Sequence, residues 1–173
     1  MTGIKINAAV AIILTVFCAS LSAQEADRSM AATRAETSPV VDGILDEELW
    51  AGADWQGDFV QLEPSMGAPA RAATSFALAF DSKYVYAAFR CENPTGLSAG
   101  STVTRRDGDF KIDNSVMLFL DTFGSRRDCY YFATNSLGTQ VDGRNAEDGN
   151  SWDESWDCNW TGASRPDSLG WRA

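Results

Sequence analysis

The segment Thr74-Ser75-Phe76-Ala77-Leu78-Ala79-Phe80 sets Phe76, Leu78 and Phe80 at every second position. Side chains alternate between the two faces of an extended strand, so this spacing predicts β structure with one apolar face. Alternation resumes over Tyr84-Val85-Tyr86-Ala87-Ala88-Phe89, and the three polar residues Asp81-Ser82-Lys83 between the runs make the pair a hairpin. Ser115 to Leu120 is apolar at both parities, which predicts a central strand covered on both sides. Cys129 to Ala133 is a further strand, and Asn135-Ser136-Leu137-Gly138 turns it towards Thr139-Gln140-Val141. Short strands, Gly, Asn and Asp turns, and no long 3.6-residue period predict an all-β antiparallel sandwich, jelly-roll or immunoglobulin-like. Helix is expected at one place: Asp46 caps a turn opened by Glu47 and Glu48 and packed by Leu49 and Trp50.

The ends of the chain suggest its setting. Lys5, the apolar run Ala8 to Phe17 and the small residues Ala19, Ser20, Ser22 and Ala23 form a secretory signal over 1–23, with cleavage after Ala23. The run is too short to span a bilayer. An uncleaved anchor and a lipoprotein carrying lipid on Cys18 are the alternatives, the second disfavoured by the bulk of Phe17. Residues 24–38 are small and polar and read as a leader, with the domain proper over 39–173. Export predicts a periplasmic, outer-envelope or extracellular protein, in a space where disulfides persist. Cys91, Cys129 and Cys158 remain after the signal, so at most one internal bridge forms; Cys91–Cys129 and unpaired strand thiols are both open. Gly170-Trp171-Arg172-Ala173 reads as the opening of a strand, which predicts a longer parent chain and a sandwich lacking its last strands.

Composition excludes several functions. The 24 acidic side chains outnumber 14 basic ones, and no basic patch offsets the field, so nucleic acid is not an expected partner. Histidine is absent, which removes Ser-His-Asp triads, Cys-His dyads and His-ligated zinc or haem. Glycosidase chemistry needs only two carboxylates, and Glu63, Glu92, Asp121, Glu147 and Glu154 qualify by type. No spacing selects a pair among them, so the chain is read as non-catalytic. The glycines of Gly67-Ala68-Pro69 and of Gly96 to Gly100 precede no Lys-Ser/Thr and are not phosphate loops.

Chemistry concentrates between Asp142 and Trp160. Six carboxylates, those of Asp142, Glu147, Asp148, Asp153, Glu154 and Asp157, meet only Arg144 in charge, with Trp152, Trp156 and Trp160 among them. Indole faces accept the C–H faces of sugar rings while carboxylates and amides take the hydroxyls. Clustered carboxylates also hold Ca²⁺, and each tryptophan is equally a core residue by type. A second acidic cluster, Asp107-Gly108-Asp109 with Asp113-Asn114, begins like an EF-hand. Lys111 and Ile112 occupy positions that need an oxygen ligand and a glycine, so the EF-hand reading fails and a different calcium site or solvated turns remain.

The order of these pieces resembles the family 9 carbohydrate-binding module-like domains, found at the front of exported bacterial xylanases and large envelope proteins. The matching pieces are Val41-Asp42-Gly43-Ile44-Leu45-Asp46-Glu47 with Trp50, Phe80 to Phe89, Arg106-Asp107, Asp113-Asn114-Ser115-Val116, Leu120-Asp121-Thr122-Phe123, Phe132 to Gly138 and Trp152 to Trp160. The resemblance implies a β-sandwich that binds an oligo- or polysaccharide, with structural Ca²⁺. It offers Trp156 and Trp171 as the aromatic pair, Asn135 and Arg106 as polar partners, and Asp107, Asp113 and Asp153 as metal ligands. It further implies a catalytic domain or a membrane β-barrel downstream in the parent. The family pattern continues beyond Gly-Trp, whereas here the chain stops at Ala173. The alternative function is a periplasmic interaction or plug-like domain that binds no sugar.

Overall fold

The computed structural model describes residues 29–93 and 100–173. The signal at 1–23, Cys18 and most of the Gly96 to Gly100 stretch lie outside the described residues. Among the described residues, no helix is long and apolar enough to cross a membrane. The elements in chain order are β1 (Thr33–Arg34), α1 (Glu48–Ala51), β2 (Thr74–Phe80), β3 (Val85–Glu92), β4 (Ser115–Leu120), β5 (Cys129–Asn135), β6 (Gln140–Ala146), β7 (Ser151–Asp153), β8 (Arg165–Pro166) and β9 (Gly170–Arg172). They form two sheets, one ordered β1-β2-β3-β9-β8 and one ordered β4-β5-β6-β7. Every pair is antiparallel except β1 with β2. The protein is all-β and sandwich-like, as the alternating runs predict.

The hairpin of β2 and β3 has the expected turn. Asp81 accepts hydrogen bonds from the backbone N–H groups of Lys83 and Tyr84, at 2.7 and 2.9 Å, closing the connection. Phe76, Leu78 and Phe80 share one face, opposite Phe89, Ala87 and Val85. The tightest packing lies on the other face, where Ala77, Ala79 and Ala88 are fully buried beneath Trp50 of α1, with Leu45, Leu49, Ala53, Trp55 and Tyr86 around them. Alanines let the helix and its indole approach the sheet closely, which larger side chains there would prevent.

Three expectations are corrected by the structure. First, the polar leader enters the fold: Thr33 and Arg34 pair in parallel with Ala79 and Phe80, and the Ala35 N–H donates to the Phe80 carbonyl at 2.8 Å. Second, Glu47 and not Asp46 occupies the N-cap of α1, and no side chain caps there. Its carboxylate accepts instead from the Val40 N–H at 2.9 Å. Third, β4 is an edge strand, with Met117 and Phe119 40% and 49% exposed. An apolar run without alternation identifies a strand but not its place in the sheet. Of the two arrangements left open for the thiols, the structure has the unpaired one: Cys91, Cys129 and Cys158 are free, with Cys91 on β3 and Cys129 on β5 of the other sheet.

Burial pushes the Cys91 thiol up to about 12, against a smaller opposing pull from Arg172. A thiol that is both buried and protonated is a poor nucleophile. Iodoacetamide at pH 8 is therefore expected to label Cys91 only after denaturation. Peptide mass spectrometry checks this, and rapid labelling in the native chain would place Cys91 at the surface.

Strand β9 lies between β3 and β8, pairing Trp171 with Cys91 and Arg172 with Arg90. Gly170 permits that contact. A Cβ there would collide with the Cys91 carbonyl oxygen and come within 2.9 Å of the Asn93 nitrogen.

Candidate functional site

Alternation along β5 and β6 gives one face of the second sheet Tyr130, Phe132, Gln140, Asp142 and Arg144, since Tyr130 opposes Arg144 and Phe132 opposes Asp142. The chain beyond β7 returns across this face and lays two indoles on it. Trp156 packs on Tyr130 with centroids 4.6 Å apart and ring planes tilted by 32°, and meets Phe132 edge-on at 6.1 Å, while Trp160 meets Phe132 edge-on at 5.4 Å.

Asp142 anchors the returning segment. It is 1% exposed, and its carboxylate accepts from the Arg106 guanidinium, from the Cys158 N–H at 2.7 Å and from the Trp160 indole N–H at 3.1 Å. Arg106 also donates to Asp157 at 2.9 Å, to the Gln140 side chain at 3.3 Å and to the Cys158 carbonyl at 3.3 Å. Gln140 in turn donates to the Trp160 carbonyl at 3.3 Å. Burial works against the Arg106 charge, but the Asp157 hydrogen bond and the charges of Asp142, Asp107 and Asp157 outweigh it, and its proton is held more tightly than usual. One arginine thus ties 157–160 to β6 and fixes Trp156 between its neighbours.

The structure brings together two of the residues that the resemblance implies, Trp156 and Arg106. Asn135 is fully buried and spends its amide on the fold. Its Nδ2 donates to the Val103 carbonyl at 2.7 Å and to Asp113 at 2.8 Å, while its Oδ1 accepts from the N–H groups of Leu137 and Thr139. Asn135 therefore shapes the β5–β6 turn and is not free to meet a ligand. Trp171 is 5% exposed within the other sheet and offers no indole face to solvent, so it is no platform.

The three carboxylates implied as metal ligands are engaged separately. Asp113 accepts from the backbone of Thr102 and Val103 at 2.9 and 3.0 Å; burial alone would raise its pKa, but these donors and Asn135 hold it below the usual range. Asp153 accepts from the Ser155 hydroxyl at 2.6 Å, the main reason that its carboxyl also lies low. Asp107 turns the chain at φ 58° and pairs with Arg106 at 3.5 Å. Among the described residues, no three His, Cys, Asp or Glu side chains are grouped to hold a metal ion.

Sequence reasoning missed the two aromatic clusters as units. Tyr130 completes the Trp156 cluster. On the opposite face of the sheet, Trp152, Phe119 and Tyr131 pack together with centroids 5.2 to 6.2 Å apart, and Trp152 is 52% exposed. The parity of Tyr130 and Tyr131 separates the two clusters, but their partners come from β4 and from residues 152–156, which only pairing reveals.

Comparison with family models, with curated proteins and with solved structures finds no match to this chain.

Proposed function

We propose that the chain is an exported, non-catalytic carbohydrate-binding module, part of a longer protein that acts on polysaccharide, and that sugar rests on Trp156. The observation that carries this reading is the tilted Trp156–Tyr130 pair fixed beside the Arg106, Asp142 and Asp157 network. Sugar hydroxyls exchange hydrogen bonds with water at little net gain, so an aromatic face that buries ring C–H groups must supply much of the affinity. Exposed Asp157, Arg144 and Asn159 lie within a few residues of the pair and suit the hydroxyls. Arg106, whose Nη2 is engaged by Asp142, Asp157 and the Cys158 carbonyl, acts as a positioning residue. The signal-like pattern of 1–23 and the motif order that resembles family 9 modules support the setting, and Ca²⁺ in a structural role belongs to the same proposal.

Calorimetric titration of the chain with a panel of neutral mono- and oligosaccharides tests it. At least one is expected to bind reversibly, and Trp156→Ala is expected to weaken it about five- to thirtyfold, since an aromatic contact of this size is worth about 1–2 kcal/mol. Trp156→Phe is expected to retain part of the affinity. Unchanged binding in Trp156→Ala, or no heat with any sugar, overturns the reading. A second reading, a periplasmic interaction module that binds no sugar, is favoured by the exposed Met117, Phe119 and Trp152 beside edge strand β4. Its partner would add an extended strand along β4.

A further inference from the structure

Three arginines stand in one row across the first sheet. Arg172 of β9 is directly opposite Arg90 of β3 on one side and Arg165 of β8 on the other. Directly opposed residues share a face with Cβ atoms roughly 5 Å apart, and like charges so placed repel. The row lies in a chain of net charge −10, so it is not a product of overall basic composition. Such a row needs compensation.

The protein supplies only part of it. Arg172 pairs with Asp167 at 2.7 Å. Arg90 lies over the Trp55 ring at 3.6 Å from its centroid, which covers one guanidinium face and leaves its edge donors unused. Arg165 donates its Nε to the Asp42 carbonyl at 2.9 Å, leaving both terminal nitrogens. Among the described residues, neither Arg90 nor Arg165 forms an ion pair. Burial first, and the Arg172 charge second, lower the Arg90 pKa, as befits a cation without a counter-charge.

All three arginines line one open hollow of about 350 Å³, whose other lining residues are Gly43, Ile44, Leu45, Asp46, Pro166 and Asp167. That volume suits a small ligand. Its wall is built by close approach: a Cβ on Gly43, whose φ is 79°, would stand 2.8 Å from the Ser164 carbonyl carbon and 2.9 Å from the Arg165 nitrogen. The Asp46 carboxylate makes no hydrogen bond or ion pair among the described residues and stands free to accept from a hydroxyl.

We infer that this hollow binds the oxyanion of a small hydroxylated ligand, its carboxylate or phosphate held between Arg90 and Arg165 and a neighbouring hydroxyl donated to Asp46. Planar guanidinium forks match both oxyanions through paired N–H···O bonds, and Trp55 holds one fork in place beforehand. The site is on the opposite sheet from Trp156 and does not depend on neutral-sugar binding there.

The test titrates the full chain with galacturonate, inorganic phosphate, galactose and chloride at fixed ionic strength, reading heat and melting midpoint. Saturable binding of galacturonate marks the carboxylate as the recognised group, and saturation by phosphate alone marks a phosphorylated ligand. Either supports the site provided that Arg165→Gln weakens it by roughly tenfold or more, the worth of one charge-assisted pair. Arg165 is exposed, so this variant keeps its fold even where Arg90→Gln disturbs the Trp55 contact. Trp156→Ala is expected to bind the anion as the wild type does. Equal responses to chloride and to the oxyanions, wild-type affinity in Arg165→Gln, loss of binding in Trp156→Ala, or no saturation with either oxyanion overturns the assignment.

Discussion

Replacing Asp142 by alanine is expected to destabilise the protein by about 3–5 kcal/mol, because it removes a buried acceptor shared by the half-exposed Arg106 and two further donors. The carboxylate is 1% exposed and receives three donors, so its loss leaves the Cys158 N–H and the Trp160 indole N–H without their acceptor. Each unsatisfied donor away from water costs about 1–3 kcal/mol, which makes the upper half of the range the more natural outcome. Arg106 keeps Asp157, an exposed partner that compensates poorly. At roughly 2–4 °C per kcal/mol for a domain of this size, the melting midpoint should fall by about 6–20 °C, read by circular dichroism at 218 nm or by calorimetry. Asp142→Asn should fall in between, because its carbonyl still accepts while its amide nitrogen cannot. A fall of less than about 2 °C in Asp142→Ala would mean that the 157–160 segment is held by its indoles alone.

The contrast between Asp142 and its neighbours shows how far the sequence could be read. Strands β2, β3, β5 and β6 and the turn at Asn135 to Gly138 announce themselves through parity and turn residues, both local properties of the chain. Asp142 looks like any member of an acidic stretch. Its distinction is that β6 points it at Phe132 while Arg106, far earlier in the chain, reaches the same spot. The arginine row is illegible for the same reason, since residues 90, 165 and 172 meet only when β9 enters between β3 and β8. Strand β1 is hidden differently: Thr33 and Arg34 carry no apolar alternation and are held by the backbone of β2. Register is a long-range property, and the candidate site and the arginine row are both built from register.

Tryptophans give the sharpest case, because an indole in a core and an indole under a ligand are the same residue in a sequence, and Trp171→Ala should separate them by the size of its effect on stability. Trp171 is 5% exposed in a strand with neighbours on both sides, so truncation leaves a cavity that β3 and β8 cannot close without breaking their own pairing. A loss of about 3–5 kcal/mol is expected, seen in urea as a lower midpoint at an unchanged slope. Trp156 is only half-buried, resting on Tyr130 at one ring face, and its truncation should cost well under half as much. Sugar affinity should respond in the opposite order, falling in Trp156→Ala and persisting in whatever fraction of Trp171→Ala remains folded. If Trp171→Ala instead melts like the wild type while losing sugar binding, its indole faces ligand and the first sheet, not the second, carries the platform.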